Sequence, residues 1–162
     1  MNKEVLKQIL FEQRKDFLKK GTGVSREKLT EAEKFLQLPH IYVISGIRRC
    51  GKSTFLRQIA HTCYNDKDFY FINFEDERIA LEGNNDLIFD AYRELYPDHN
   101  LQDTFIFFDE IHELPGWEKF VRRVSDTVSR HVFITGSNAK LLSKEIGTAL
   151  RGRSISFEIL TL

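Results

Sequence analysis

Short apolar runs alternate along this chain with stretches in which apolar residues return every three or four positions. The runs at 41–45, 69–74, 104–108, 132–135 and 154–159 are rich in Ile, Val, Phe and Tyr, a pattern that predicts strands buried on both faces. Between them, helical spacing predicts helices over 52–63, 84–95, 117–129 and 138–146. In the third of these, Trp117, Phe120, Val121, Val124 and Val128 form one stripe with Arg122 and Arg123 beside it. Alternating strands and helices predict an α/β fold of three layers, a parallel sheet with helices on both faces. Right-handed crossovers then bring the loops after the strands to one edge, where ligands bind in open α/β sheets.

Ahead of this core, Val5, Leu6, Ile9, Leu10, Phe17 and Leu18 recur among lysines and glutamates and predict an amphipathic helix over 2–20. Gly21-Thr22-Gly23 breaks it, a second helix follows from Ser25 to about Leu36, and Pro39 stops that one. The chain thus divides into an N-terminal helical extension, 1–39, and a core, 40–162. The extension reads either as a packing collar or as a partner-binding helix. At the other end, 155–162 reads as a strand that runs to the last residue without a closing turn, as expected of the N-terminal part of a longer protein.

Composition narrows the classes. The 162 residues suit a single core, and no apolar run is long enough to span a membrane. Lys+Arg and Asp+Glu each number 24, so net charge gives no argument for nucleic acid or an anionic membrane, and such a partner would have to be met by a local patch. Cys50 and Cys63 are too few for a disulfide framework, and the charged N-terminus is no secretory signal; both point to the cytoplasm. His40, His61, His99, His112 and His131 are scattered without ligand spacing, so zinc chemistry is not expected. They read as surface residues or as supports behind other groups.

The first stretch with chemistry is Gly46-Ile47-Arg48-Arg49-Cys50-Gly51-Lys52-Ser53, which has the pattern G-x-x-x-x-G-K-S between a strand and a helix. In such a loop, successive backbone N–H groups curl around a polyphosphate, the lysine reaches the terminal phosphates and the hydroxyl joins the shell of Mg²⁺. Gly46 and Gly51 are expected to turn with positive φ and allow the close approach, and the helix opening at Lys52, Ser53 and Thr54 adds its positive end. Arg48 and Arg49 fill variable positions, open to nucleotide, partner or solvent.

A second stretch, Phe105-Ile106-Phe107-Phe108-Asp109-Glu110, delivers two acids at the end of a buried strand. There Asp109 would hold Mg²⁺ directly or through water, and Glu110 would act as base for the water attacking a γ-phosphate. After the fourth strand, Thr135, Ser137 and Asn138 are placed to meet the γ-phosphate or the attacking water, or else to cap the following helix. In Leu150-Arg151-Gly152-Arg153-Ser154, an arginine at a subunit or domain edge can stabilise charge on a transferring phosphoryl group. The acidic turn Glu75-Asp76-Glu77 either lines the rim of the site or caps the next segment of chain.

Taken together, YVISGIRRCGKSTFL, FYFINFEDERI, TFIFFDEIHELPGWEKFVRRV, VFITGSNAKLL and LRGRSISFEIL resemble the AAA+ superfamily. Within it they are most similar to bacterial and archaeal ATPases that join an N-terminal AAA domain to an uncharacterised C-terminal domain. The resemblance implies a five-stranded sheet ordered 5-1-4-3-2, ATP with Mg²⁺ as ligand, and matching roles for Lys52, Ser53, Asp109 and Glu110. It implies a nucleotide-sensing arginine at Arg151 or Arg153, and hydrolysis of ATP to ADP and phosphate that drives a conformational or remodelling task. The helical lid of that superfamily has no counterpart in this stretch, so self-association or contact with a C-terminal domain would complete the site. A reading of another class is a nucleotide-gated switch or DNA-associated module with slow or no turnover, favoured by the pairs Arg48-Arg49 and Arg122-Arg123. A small-molecule kinase is a third reading.

Overall fold

The computed structural model describes residues 1–21, 23, 29–30, 33–34, 36, 38–47, 49, 51–63, 68–137, 141, 150 and 152–159. At its centre lie five parallel strands: β1 (Ile41–Gly46), β2 (Phe69–Asn73), β3 (Phe105–Asp109), β4 (His131–Gly136) and β5 (Ser154–Ile159). Their order is β2-β3-β4-β1-β5, the expected 5-1-4-3-2 arrangement read from the opposite edge. The fold is a three-layer α/β P-loop NTPase fold.

Apolar runs in both side-chain parities are what this sheet requires, because both of its faces are covered. Ile41, Val43, Ile106, Phe108, Val132 and Ile134 point into one core. Tyr42, Ile44, Phe107, Phe133 and Phe157 point into the other. Helix α2 (Lys52–Gln58) covers the second face with Phe55 and Leu56. Helices α3 (Leu87–Leu95) and α4 (Trp117–Thr127) cover the first, α4 through the predicted stripe of Trp117, Phe120, Val121 and Val124.

Several element boundaries differ from the periodicity. The helix expected over 52–63 is α-helical only to Gln58 and then widens into a π-helical turn, Ile59–Cys63. The helix expected from 84 begins at Leu87, because Asn84 and Asn85 use their carbonyls in turn hydrogen bonds to the N–H groups of Leu87 and Ile88. Strand β3 lies one residue later than 104–108, since the Thr104 hydroxyl is tied back to the Asn100 carbonyl at 2.6 Å. That shift makes Asp109 the last residue of the strand. The helices expected over 25–36 and 138–146 fall mostly outside the described residues. No helix among the described residues is long and apolar enough to cross a membrane.

The N-terminal helix, here named α1 (Lys3–Lys19), is opened by Asn2, whose side chain accepts the Glu4 N–H at 2.7 Å. Its Leu6 and Leu10 enter the first core, whereas Phe17 enters the second and stacks on Phe71 at 4.3 Å. The helix therefore crosses the edge strand β2 from one face of the sheet to the other. Along the way its side chains occupy the outward polar groups of that strand. Arg14 Nε donates to the Phe69 carbonyl at 3.5 Å, while its guanidinium lies 4.4 Å from the centre of the Phe69 ring. The Tyr92 hydroxyl of α3 donates to the Phe71 carbonyl. The primary amide of Gln13 meets Asn73 twice, donating to its carbonyl at 3.2 Å and accepting its N–H at 3.0 Å. An amide in this pose reproduces the hydrogen bonds of a neighbouring strand, which closes an edge that would otherwise be open.

Replacing Gln13 with Ala removes both bonds and leaves the Asn73 groups half-covered. We expect a loss of about 1–3 kcal/mol in urea unfolding, with no change in the slope of the transition.

Candidate nucleotide site

The loop that leaves β1 at Gly46 turns through left-handed backbone at Arg49 (φ 64°) and Gly51 (φ 98°) before α2 begins at Lys52. At 98° the turn calls for glycine at Gly51, whereas Gly46 ends β1 without a positive φ; left-handed backbone in a loop that opens a helix is suited to turning N–H groups toward an anion. Arg48 and Cys50 lie outside the described residues.

Lys52 is 5% exposed and folds over this concavity, its Nζ donating to the carbonyls of Gly46 at 3.1 Å and Ile47 at 3.0 Å. The same ammonium stands 3.8 Å from Glu110 Oε1. The next residue, Ser53, donates its hydroxyl to Asp109 Oδ2 at 2.8 Å. The Thr54 hydroxyl is taken by Arg57 Nη2 at 2.9 Å.

Asp109 is 4% exposed at the carboxyl end of β3. Its second oxygen, Oδ1, accepts the Thr135 hydroxyl of β4 at 2.5 Å. Burial pushes this carboxyl above the usual range, and the bonds from Thr135 and Ser53 and the charges of Lys52 and Arg57 pull it back. Thr135 works in two directions, because its oxygen also accepts the Glu110 N–H at 3.0 Å. Glu110 sits at φ 52°, a strained left-handed position for a residue with a Cβ. Its carboxyl too is pushed up by burial, with Lys52 opposing. A hydroxyl and a carboxylate oxygen 2.8 Å apart at Ser53 and Asp109 are donors suited to a hard cation such as Mg²⁺, which keeps most of its waters. Among the described residues no group of three or more His, Cys, Asp or Glu gathers as an all-protein metal cage.

The geometry brings Gly46, Ile47, Gly51, Lys52, Ser53, Asp109 and Glu110 to one place. Of the polar residues expected after the fourth strand, Thr135 lies within β4 and faces the two acids, and the Ser137 carbonyl accepts the Leu141 N–H at 2.9 Å, as at the start of a helical turn. Asn138 and Arg151 lie outside the described residues. Arg153 is elsewhere. Its carbonyl accepts the Ile41 N–H at 2.7 Å at the amino edge of the sheet, and its guanidinium pairs with Asp126. The length of β1 separates it from the loop of its own chain by about 20 Å.

One feature escaped the sequence pattern, and a second, His112 as a support behind another group, was read only in general terms. A polar cavity of about 240 Å³ lies between α1, α2 and the ends of β2 and β3, with Gln13, Ser53, Arg57, Asn73 and Asp109 in its wall. His112, in the 3-10 turn Ile111–Glu113, lies beside Glu110, with Nδ1 3.4 Å from Oε2. The available signal was proximity alone: a tight turn after Glu110 returns the residue two positions on toward it.

Because Asp109 is raised by burial, its folded form holds a proton at pH values where the unfolded chain has lost it. The stability it contributes is complete below the unfolded pKa and is lost as pH rises through the folded pKa. Asp109→Asn, whose amide the two rotatable hydroxyls can still meet, is therefore expected to raise the urea midpoint at pH 7 in the absence of divalent cation. That gain should shrink toward zero on acidification, which unfolding curves from pH 7 to 3 will measure.

A family profile described as an AAA domain matches residues 38–162. An uncharacterised protein of Methanocaldococcus jannaschii is 49% identical over 126 residues, covering 75% of this chain and 26% of that protein. An uncharacterised protein of Haemophilus influenzae is 31% identical over 144 residues, covering 86% of this chain and 36% of that protein. The chain thus spans a minor part of the length of both relatives. Among solved structures, Saccharomyces cerevisiae RIF2 superposes with a TM-score of 0.54 at 16% identity, covering 100% of this chain and 65% of that one, a likeness of fold alone. With its phosphate-loop geometry and its profile match over most of its length, the chain belongs to the AAA domain family and is a P-loop ATPase-like domain.

Proposed function

We propose that this domain binds ATP with Mg²⁺ and hydrolyses it to ADP and phosphate. The observation that carries this reading is the meeting of four side chains from three elements: Lys52 and Ser53 from α2, Asp109 ending β3, and Glu110 after it. Polyphosphate in the loop draws Lys52 off the carbonyls of Gly46 and Ile47, since a phosphate oxygen is the stronger acceptor for an ammonium. Gly51 and the first turn of α2, with Thr54, complete the cradle, and Arg49 is assigned to its outer rim, as are Arg48 and Cys50 from their places in the motif. Ser53 and Asp109 would hold Mg²⁺, which when bound would offset negative charge on the polyphosphate. A water then attacks the γ-phosphorus, a new P–O bond forms, the bond to the β–γ bridging oxygen breaks, and the water's proton passes to Glu110. Ser137 and Asn138, which follow β4 in the chain, are assigned to the γ-phosphate.

The position of Arg153 favours a second reading. At the amino edge of the sheet, it can reach a nucleotide only in another copy of the chain. If Arg151 and Arg153 serve that role, an isolated chain holds ATP as a switch and turns it over slowly until copies associate. The work that the cycle drives belongs to the longer protein and is a conformational or remodelling task.

Lys52→Ala is expected to abolish ATP binding in titration calorimetry. Glu110→Gln should bind ATP as the wild type does and lose turnover by about 10²–10⁴-fold; normal hydrolysis by this variant would remove Glu110 from the role of base. Under the second reading, wild-type turnover per chain rises with protein concentration, and Arg153→Ala abolishes the rise.

A further inference from the structure

We propose that His112 is a positioning residue that holds the Glu110 carboxylate in place for the attacking water, with Glu113 anchoring the far side of its ring; this rests on the reading of Glu110 as base. The backbone of Glu110 is fixed by its N–H bond to Thr135, but three rotatable side-chain bonds lie between that anchor and the carboxylate. Two cationic or polar groups limit them. Lys52 stands 3.8 Å from Oε1, and His112 Nδ1 stands 3.4 Å from Oε2. A base has to keep its carboxylate within hydrogen-bond reach of a single water, so whatever restrains this side chain bears directly on rate.

The two restraints are not equivalent once nucleotide arrives. Lys52 turns to the phosphates, whereas His112 has no phosphate to reach for and stays. Its ring is 11% exposed and is placed by the 3-10 turn Ile111–Glu113, with Nε2 3.3 Å from Glu113 Oε1. Among the described residues Nδ1 is a buried ring nitrogen with no other hydrogen-bond partner, and a buried polar atom of this kind calls for one. A short swing of the Glu110 carboxylate closes 3.4 Å to a hydrogen bond from an Nδ1–H.

The neighbouring strand is shaped around the same atom. A Cβ built on Gly136 would approach His112 Nδ1 to 2.9 Å and Leu141 Cγ to 2.7 Å. The glycine at the end of β4 thus leaves the space that the His112 ring occupies. Gly136 does not have a positive φ, so the space it leaves, rather than its backbone conformation, is what another residue would take away.

A positioning role separates rate from affinity. His112→Ala should lower kcat by about 10-fold while the affinity for a non-hydrolysable ATP analogue stays within about twofold. An Asn side chain puts its amide nitrogen near the place of Nδ1, and Gln puts it near the place of Nε2. His112→Asn should therefore restore most of the lost rate, and His112→Gln should not. Wild-type kcat in the Ala variant, or a Gln variant as active as the Asn variant, overturns the proposal. The contact has its own readout in the ¹⁵N resonances of the His112 ring in the full chain. Glu110→Gln should shift Nδ1, and Glu113→Gln should shift Nε2. An Nδ1 signal unmoved by Glu110→Gln overturns the contact whether or not the chain turns over ATP. A wild-type chain without hydrolysis under any condition sinks the ATPase reading instead, and the ring spectrum still decides the His112 contact.

Discussion

A buried carboxylate held by two hydroxyls is the constraint on which the rest of the site depends. Asp109 is nearly inaccessible, and a charge so placed is tolerated only where its oxygens are paired. One partner comes from the helix after the phosphate loop and the other from the end of β4. Three separate stretches of chain must therefore arrive at the same edge in the order β3-β4-β1 for the charge to be met. The choice of hydroxyls matters as well. A guanidinium or ammonium bonded directly to Asp109 would cancel its charge, whereas Ser53 and Thr135 satisfy its geometry and leave the charge for a cation. Thr135 then passes the same order on to Glu110 through the backbone N–H, so the placement of the second acid follows from that of the first.

The parts legible in the sequence were those with a period or a compact pattern. Five apolar runs gave the strands, and the two-sided burial of the sheet explains why those runs hardly alternate. The spacing around Lys52 and the acids closing the run at 105–108 placed the loop and Asp109 correctly at one edge. What the pattern lacked was contact between residues far apart. Gln13 and Asn73 are 60 positions apart and share no periodicity, yet they decide how β2 ends. Thr135, Ser137 and Asn138 looked equivalent as polar residues after a strand. What separates two of them is where the strand ends: Thr135 is still within β4 and meets the acids, whereas Ser137 lies past its last residue and its carbonyl begins a turn. The π-helical end of α2 was invisible for a related reason, since one wider turn preserves the apolar character of Ile59 and Ala60 while shifting their angle.

Between the family segment and the N-terminal helix there is a division of labour. The segment 38–162 contains the phosphate loop and both acids, and α1 precedes it. Yet α1 supplies Gln13 and the end of a cavity that opens on Ser53 and Asp109. Asp76, just beyond β2, is held well below the usual carboxylate range, at about 2, mainly by Arg78, with Gln13 adding a further bond. Arg78 in turn reaches Glu12 on α1 at 2.9 Å. The helix is bolted to the sheet at the end nearest the site.

This side-chain seal along β2 bears on solubility. A parallel sheet of this kind has an exposed row of donors and acceptors wherever its last strand is uncovered, and such a row recruits extended segments from other molecules. Here the row belongs to Phe69-Tyr70-Phe71-Ile72-Asn73, a short aromatic stretch without charge or proline, the composition that stacks most readily into intermolecular sheets. A chain begun at residue 38 keeps every residue of the phosphate loop but leaves that edge with the Tyr92 hydroxyl in place of the bonds from Gln13 and Arg14. The helix that carries none of the phosphate-loop chemistry thus covers the edge at which the sheet could otherwise be extended.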